Sequence, residues 1–104
     1  MANMMKMMKQ AADMQRNMQK LQDELADRTV EFSAGGGKVT VTAAGDISVR
    51  SIQIDPQVVD PQDTEMLEDL VLAAVDGALK KAHAMVADEM SKVTAGMKIP
   101  GMSF

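Results

Sequence analysis

One uninterrupted stretch, residues 60–96, restricts the fold of this chain more than any other segment. It opens with Asp60, which can cap a helix, and Pro61, which suits a first helical turn because its missing N–H needs no partner there. No further proline occurs before Pro100, and Gly96 is well placed to end the helix in the left-handed conformation. A helix of about 35 residues is roughly 50 Å long, whereas a domain of ~100 residues has a radius of gyration of only ~13 Å. We therefore expect the helix either to overhang its own subunit or to be covered by a second one.

The first half of this stretch carries two neighbouring apolar stripes. One stripe consists of Leu67, Val71, Ala74 and Ala78, and the other of Leu72, Val75, Leu79, Ala82 and Val86. Together they form an apolar arc wider than a helix packed on one side needs, and Gly77 indicates a close backbone approach. A core helix of a monomer is one interpretation, but we predict a homodimer. The predicted dimer interface comprises Leu67, Leu70, Val71, Ala74, Val75, Gly77 and Ala78. Beyond Val86 the helix becomes more polar and is expected to project.

The composition favours a single soluble domain of the cytoplasm. The 104 residues are enough for one domain. Apolar residues make up 46%, but only two residues are aromatic and twelve are methionine, so the core must be aliphatic and adaptable. The absence of cysteine excludes disulfides and thiolate metal sites. No apolar run approaches the ~20 residues of a membrane span, and the amino terminus alternates methionine with lysine instead of resembling a signal peptide.

The net charge of −4 is unevenly distributed along the chain. Residues 1–22 carry a local charge of +3 and residues 77–104 carry +2, whereas residues 55–76 hold seven acidic residues and no basic one. The net charge alone argues against a nucleic acid as partner. The distribution matters more than the sum, because both ends are basic and only the middle is acidic.

A heptad seam in the first 27 residues predicts a helix with the pattern of a coiled coil. The seam follows alternating three- and four-residue spacing and is formed by Met4, Met7, Ala11, Met14, Met18, Leu21 and Leu25. Because methionine is flexible, the seam specifies its register weakly. The opposite side carries the charged residues Lys6, Lys9, Asp13, Arg16, Lys20 and Asp23. This side is either a basic ridge available to phosphates or an ordinary solvated face.

From Thr29 onward the periodicity changes to two, which predicts three antiparallel strands. The predicted strands are 29–33, 38–43 and 47–54, joined by a hairpin connection over 34–37 and a turn at Gly45-Asp46. In the third strand the apolar positions change from odd to even numbers, which predicts a bulge near Arg50-Ser51 or a change of buried face. A meander with one apolar face needs a helix on that face, and the long helix is the natural cover.

The predicted fold class is therefore α+β, with an N-terminal helix, a three-stranded antiparallel meander and a long C-terminal helix. We expect one domain over residues 1–104. Its parts are a helix over 1–27, the sheet over 29–54, a short turn over 55–59, the long helix over 60–96 and a mobile tail over 97–104.

Three local patterns that suggest chemistry have simpler structural explanations. The run Gly35-Gly36-Gly37-Lys38 lacks the glycine spacing of a phosphate loop and precedes a strand, so we interpret it as a hairpin loop. The carboxylates between Asp60 and Asp69 lack the alternating spacing of a calcium-binding loop and are expected to cap the long helix. His83 is the only histidine and lies in no nucleophile motif, which favours a surface position. We therefore predict no enzyme activity, no metal, no cofactor and no small-molecule substrate.

The order of these elements closely resembles the YbaB/EbfC family of bacterial nucleoid-associated proteins. The residues that carry the resemblance are Met14 to Leu25, Ala34-Gly35-Gly36-Gly37, Val39-Thr40-Val41, Ile52-Gln53-Ile54-Asp55-Pro56, Glu65 to Val71 with Ala73-Ala74, and Gly96-Met97 with Pro100-Gly101. They span nearly the whole chain. The run from Glu65 to Val71, at this separation from Ile54-Asp55-Pro56, is the specific part of the match.

The resemblance implies an intertwined α+β homodimer whose first and last helices project from each subunit, and it implies that these helices bind DNA. The residues expected to contact phosphates are Lys6, Lys9, Arg16, Lys20, Lys80, Lys81, Lys92 and Lys98. Such contacts carry little sequence preference, and the helices have no aromatic side chain to stack on single-stranded bases. The implied partners are duplex DNA and a second copy of the chain, at the nucleoid in the cytoplasm.

Two other interpretations of the first helix stay open at this point. The methionines at positions 4, 5, 7 and 8, together with the glycine-rich hairpin, suit an interaction module for another protein, for example one of the replication or repair machinery. An amphipathic helix lying on a membrane has the required basic residues but lacks a Trp or Phe anchor, so we expect no membrane partner. Binding to phosphates should weaken steeply with salt, whereas an apolar protein contact should persist.

Overall fold

The structure is a computed structural model that describes the backbone of residues 2–96 and the side chains of residues 3–93. Its elements are α1 (Ala2–Asp27), β1 (Thr29–Ala34), β2 (Val39–Ala44), β3 (Ser48–Ile54), a 3₁₀ turn (Pro56–Val58) and α2 (Thr64–Gly96). The α+β order expected from the sequence is confirmed. The predicted tail over 97–104 lies outside the described residues.

The long helix α2 begins at Thr64 and not at residue 60, because the acidic residues before it form a turn of their own. The Asp60 carboxylate accepts a hydrogen bond from the Gln62 N–H (2.9 Å), and the Asp63 N–H donates to the Asp60 carbonyl oxygen (2.9 Å). The Asp63 carboxylate then accepts the Met66 N–H (3.2 Å) and caps the first turn of α2. The capping role of the carboxylates is thus performed by Asp63 in place of Asp60.

The sheet is an antiparallel meander in the order β1-β2-β3, with a bulge in β3. Thr42 pairs with Ser51. The next residue of β2, Ala43, pairs with Val49. Arg50 is therefore the extra residue of a bulge, at the position that the change of apolar parity predicts.

The core lies between α2 and one face of β1 and β2. A row of alanines on α2, formed by Ala74, Ala78 and Ala82, is completely buried, as are Val39 and Val41 of the central strand. Because an alanine side chain ends at Cβ, this row lets the helix backbone lie close to the sheet. The expected cover of the sheet by the long helix is confirmed.

Three residues of the predicted dimer interface pack within the chain itself. A Cβ built on Gly77 would lie 2.6 Å from Cζ of Phe32, and closer still to two other atoms of that ring. The close approach at Gly77 is therefore made by Phe32 of the same chain. Ala74 and Ala78 likewise face the chain's own sheet. The other predicted interface residues, Leu67, Leu70, Val71 and Val75, are half-buried at the border of the core.

The β3 part of the apolar sheet face is only partly covered. Val49, Ile52 and Ile54 of β3 pair across the strands with buried residues of β2 and so lie on the same face as the core. They are nevertheless exposed by 39%, 45% and 39%. We call these three residues the β3 strip. In a single chain this apolar surface is in contact with water.

Helix α1 projects from the core. Among residues 3–27 only Leu25 is fully buried, whereas the methionines at positions 4, 5, 7 and 8 are 68–74% exposed. The molecule measures 75 × 24 × 15 Å and has a radius of gyration of 20.6 Å, against the ~13 Å of a compact domain of this length. We refer to α1 as the arm, because most of its surface has no neighbour in the part of the chain that the structure describes.

Candidate nucleic-acid interface

The arm carries its basic residues along one line. Lys6, Lys9, Arg16 and Lys20 are exposed, with Asp13 among them. At 3.6 residues per turn, all five fall within an arc of about 80° and extend over about 21 Å of helix. The methionine seam occupies the other side of the same helix. A helix of this kind presents one basic ridge and one apolar ridge to different surroundings.

The arm lysines Lys6, Lys9 and Lys20 have no partner among the described residues. Within the described part of the chain, none of the three forms an ion pair or a side-chain hydrogen bond. Arg16 pairs with Asp13 (2.6 Å), but both side chains are exposed, and exposed pairs of this kind contribute little to stability. The arm therefore offers three unpaired ammonium groups, and a fourth cation in a weak ion pair, to an anionic partner.

The basic residues predicted on α2 are engaged within the chain. Lys80 forms an ion pair with Asp76 (2.8 Å), and this hydrogen bond and charge raise the pKa of Lys80. Lys81 Nζ donates to the Glu31 carbonyl oxygen (2.9 Å) and so ties α2 to the sheet. The third described lysine of α2, Lys92, is engaged as well.

Lys92 lies between two carboxylates one turn away on the same helix. Its Nζ is 3.4 Å from both Glu89 and Asp88, and the hydrogen bonds to Glu89 and then Asp88 raise its pKa. Lys98, the remaining predicted contact, lies outside the described residues. Of the seven predicted phosphate contacts that the structure describes, the four on α1 are exposed, whereas the three on α2 are engaged with other groups of the chain.

Two arginines that were not predicted as functional residues form ion pairs around the base of the arm. Arg50, on the bulge, reaches the Ala26 carbonyl oxygen (3.4 Å) and the carboxylates of Asp27 (3.8 Å) and Asp46 (3.1 Å). Arg28 pairs with Glu89 of α2 (3.3 Å).

Backbone hydrogen bonds hold the same junction. The Gly45 N–H donates to the Arg28 carbonyl oxygen (3.0 Å), and the Asp46 N–H donates to the Ala26 carbonyl oxygen (3.3 Å). Bonds from Ser48 and the charge of Arg50 keep the pKa of Asp46 below its usual value, so this carboxylate stays ionised beside Arg50. The only sequence signal for this junction is the parity change at the bulge.

The other polar groups do not assemble into a site for chemistry. Asp60 and Asp63 are used in turns and caps, and His83 is exposed. In the part of the chain that the structure describes, no group of three or more His, Asp or Glu residues is arranged to hold a metal ion. No helix among the described residues is both long and apolar enough to cross a bilayer. The arrangement supports electrostatic binding of a polyanion by the arm.

Comparison with known proteins agrees with this architecture. The model of the YbaB/EbfC DNA-binding family matches residues 1–97. A nucleoid-associated protein of Pelotomaculum thermopropionicum is 54% identical over 100 residues, which cover 96% of this chain and 95% of that protein. One of Moorella thermoacetica is 54% identical over 97% of both chains. The crystal structure of an uncharacterized protein from Helicobacter pylori has the same fold at 20% identity, with a TM-score of 0.59 and coverage of 85% of this chain and 98% of that one. The chain therefore belongs to the YbaB/EbfC DNA-binding family.

Proposed function

We propose that this protein binds duplex DNA of the nucleoid, in the cytoplasm, as a homodimer whose arms contact phosphates with little preference for sequence. The observation that carries the proposal is the line of three unpaired lysines, Lys6, Lys9 and Lys20, on a helix that projects from the core. Ammonium groups are point charges that bind phosphate oxygens without reading bases. The nucleoid-associated relatives point to the same polyanion.

The net charge of −4 does not oppose this binding. The acidic residues are concentrated at the start of α2, where Leu70 touches the β1–β2 hairpin at Gly35. The arm joins the sheet at its opposite end, at Gly45, and extends about 39 Å over its 26 residues. Because exposed charges are screened within ~8–10 Å at physiological salt, phosphates at the arm lysines are attracted by the local positive charge.

Titration of labelled duplex DNA at several salt concentrations tests this proposal. We expect the logarithm of the binding constant to fall linearly with the logarithm of the salt concentration, with a slope of about −5 for six phosphate contacts from two arms. Two duplexes of unrelated sequence should bind within about threefold of each other, because phosphates carry the contacts. A slope near zero, or a strong preference for one duplex, would contradict phosphate binding by the arms.

The uncovered apolar surfaces support the homodimer. Besides the β3 strip, the chain exposes a shallow groove of ≈ 470 Å³ on α2, which is lined by Leu67, Glu68, Val71, Leu72 and Val75. Leu72 is 68% exposed. In a twofold symmetric dimer, every contact between the subunits occurs twice. The α2 groove of each subunit can therefore cover the β3 strip of the other. Burial of both patches removes exposed apolar surface of the core from water.

Leu72→Glu should convert the dimer into a monomer. A carboxylate at this position would have to be buried without a partner, which costs about 3 kcal/mol or more and raises the dissociation constant over ~100-fold. Light scattering over a range of protein concentrations measures the effect. Ala84→Glu is the matched control, because Ala84 is exposed on the opposite side of α2. Equal behaviour of the two variants would argue against the α2 groove as the interface.

A second candidate function rests on the methionines of the arm. Met4, Met5, Met7 and Met8 are 68–74% exposed at the free end of the arm, and flexible thioether side chains suit adaptable contacts with apolar partners. On this hypothesis the arm docks on another protein. The salt titration separates the two functions, since an apolar contact does not weaken as salt rises.

A further inference from the structure

The turn between β2 and β3 contains Ile47, which has φ +61° and is the only non-glycine residue of the described backbone with a positive φ. The left-handed conformation is unfavourable for L-residues because Cβ approaches the following carbonyl oxygen, and for a β-branched residue it is a marked outlier. Glycine adopts it without this strain, and asparagine with less of it. An isolated chain would therefore fold more favourably with glycine or asparagine at position 47.

Backbone and polar contacts hold the turn in this conformation. The Ile47 N–H donates to the Ala44 carbonyl oxygen (2.8 Å), and the Asp46 N–H donates to the Ala26 carbonyl oxygen (3.3 Å). The Asp46 carboxylate accepts hydrogen bonds from the Ser48 N–H (3.2 Å) and the Ser48 hydroxyl. None of these contacts uses the Ile47 side chain, so the turn itself does not explain isoleucine.

Packing within the chain does not explain it either. Ile47 is 43% exposed and lies outside the cluster of buried core residues. It directly precedes β3, and its exposure is close to that of the β3 strip. Helix α2 packs on β1 and β2 and leaves the β3 strip exposed. Ile47 therefore adds exposed apolar surface next to β3, in a conformation that disfavours it.

We propose that Ile47 is a contact residue between two copies of this chain, retained in a strained turn because the partner subunit covers its side chain. The inference rests on the proposed homodimer. A second copy of the chain can cover Ile47 and the β3 strip, because each chain also carries an exposed apolar groove around Leu72 on α2. A twofold interface would bring this groove and the β3 strip together twice. Since the same turn binds the last carbonyl groups of α1, the contact also fixes the base of the arm.

Ile47→Gly tests the proposal when it is made in two backgrounds. In the otherwise unchanged chain it should raise the dimer dissociation constant by at least about tenfold, measured by analytical ultracentrifugation, because apolar contact with the partner is lost. In the Leu72→Glu chain, which is expected to be monomeric, the same change should raise the urea midpoint because the strain is relieved. Ile47→Val keeps the branched side chain and most of its apolar surface, and should stay within about threefold of the original dissociation constant.

The effects of Ile47→Gly on the dissociation constant and on the urea midpoint separate an interface role from simple strain. If Ile47→Gly raised the urea midpoint in both backgrounds and left the dissociation constant unchanged, the side chain would have no partner and the proposal would be overturned. A chain that is monomeric before any substitution would overturn it as well, by removing the homodimer. An unchanged dissociation constant in a chain that does dimerise would overturn the Ile47 contact alone.

A thiol probe keeps the test decisive if the Leu72→Glu chain does not fold. The chain has no cysteine, so Ile47→Cys introduces a unique thiol. Its reaction with a disulfide reagent should slow at least about tenfold as the protein concentration rises through the dimer dissociation constant, since the partner then covers it. A rate that is independent of protein concentration, while light scattering reports dimer formation, would overturn the proposal.

Discussion

Replacing Lys6, Lys9 and Lys20 together with glutamine lowers the affinity for duplex DNA by about 100-fold at ~0.1 M salt, and it reduces the magnitude of the salt slope by about 2.7 per arm. Each of these ammonium groups is unpaired and lies on the projecting helix, so its contact with a phosphate displaces a counterion from the DNA. Glutamine is nearly as good a helix former as lysine, so the arm itself should be retained. Fluorescence anisotropy with one duplex at several salt concentrations measures both quantities.

A second triple variant with the same change in charge is the control. Lys38, Lys80 and Lys92 are each bound to carboxylates of the chain, at 3.4 Å from Asp55, 2.8 Å from Asp76 and 3.4 Å from Asp88. Their replacement by glutamine should change the affinity by less than about fivefold, because charges beyond the arm are screened from the DNA. Equal losses in the two triple variants would mean that the DNA responds to total charge, and the assignment to the arm would be wrong.

The fold follows from the sequence wherever local periodicity determines it. The change from a helical period to a period of two marks the start of the sheet, and the parity change in β3 locates the bulge at Arg50. The start of α2 does not follow in the same way, because Asp60 and Asp63 both precede residues that can open a helix. Which of the two aspartates caps α2 depends on the hydrogen bond from the Asp63 N–H to the Asp60 carbonyl oxygen, and only the folded backbone shows this bond.

The candidate interface is less accessible to sequence analysis, because charge pairing depends on packing. The pair of Lys80 with Asp76 joins residues four apart on one helix, and its spacing is visible in the sequence. The bond from Lys81 to the Glu31 carbonyl oxygen joins residues separated by 50 positions. Gly77 shows the same limit: its sequence context indicates a close approach, but only the fold identifies Phe32 of the same chain as the neighbour.

The base of the arm depends on a glycine for steric reasons. Gly45 lies where the last turn of α1, the β2–β3 turn and α2 meet. A Cβ at this position would lie 2.7 Å from the carbonyl carbon of Leu25, closer still to its oxygen, and 3.2 Å from Cγ2 of Val86. Backbone atoms cannot rotate away as the end of a flexible side chain can. The last turn of α1 would have to move, and the hydrogen bond from the Gly45 N–H to the Arg28 carbonyl oxygen (3.0 Å) would be lost.

Gly45→Ala should therefore lower the free energy of unfolding by about 3 kcal/mol and the Tm by roughly 12–24 °C. Gly36→Ala is the control, because Gly36 has φ +66° and no atom within 4 Å of a built Cβ, so it should lose only about 1 kcal/mol from backbone strain. Thermal unfolding followed by circular dichroism compares the two. If Gly45→Ala proved no more destabilising than Gly36→Ala, the arm would be loosely attached at its base. The arm lysines would then lack the fixed geometry that binding to successive phosphates requires.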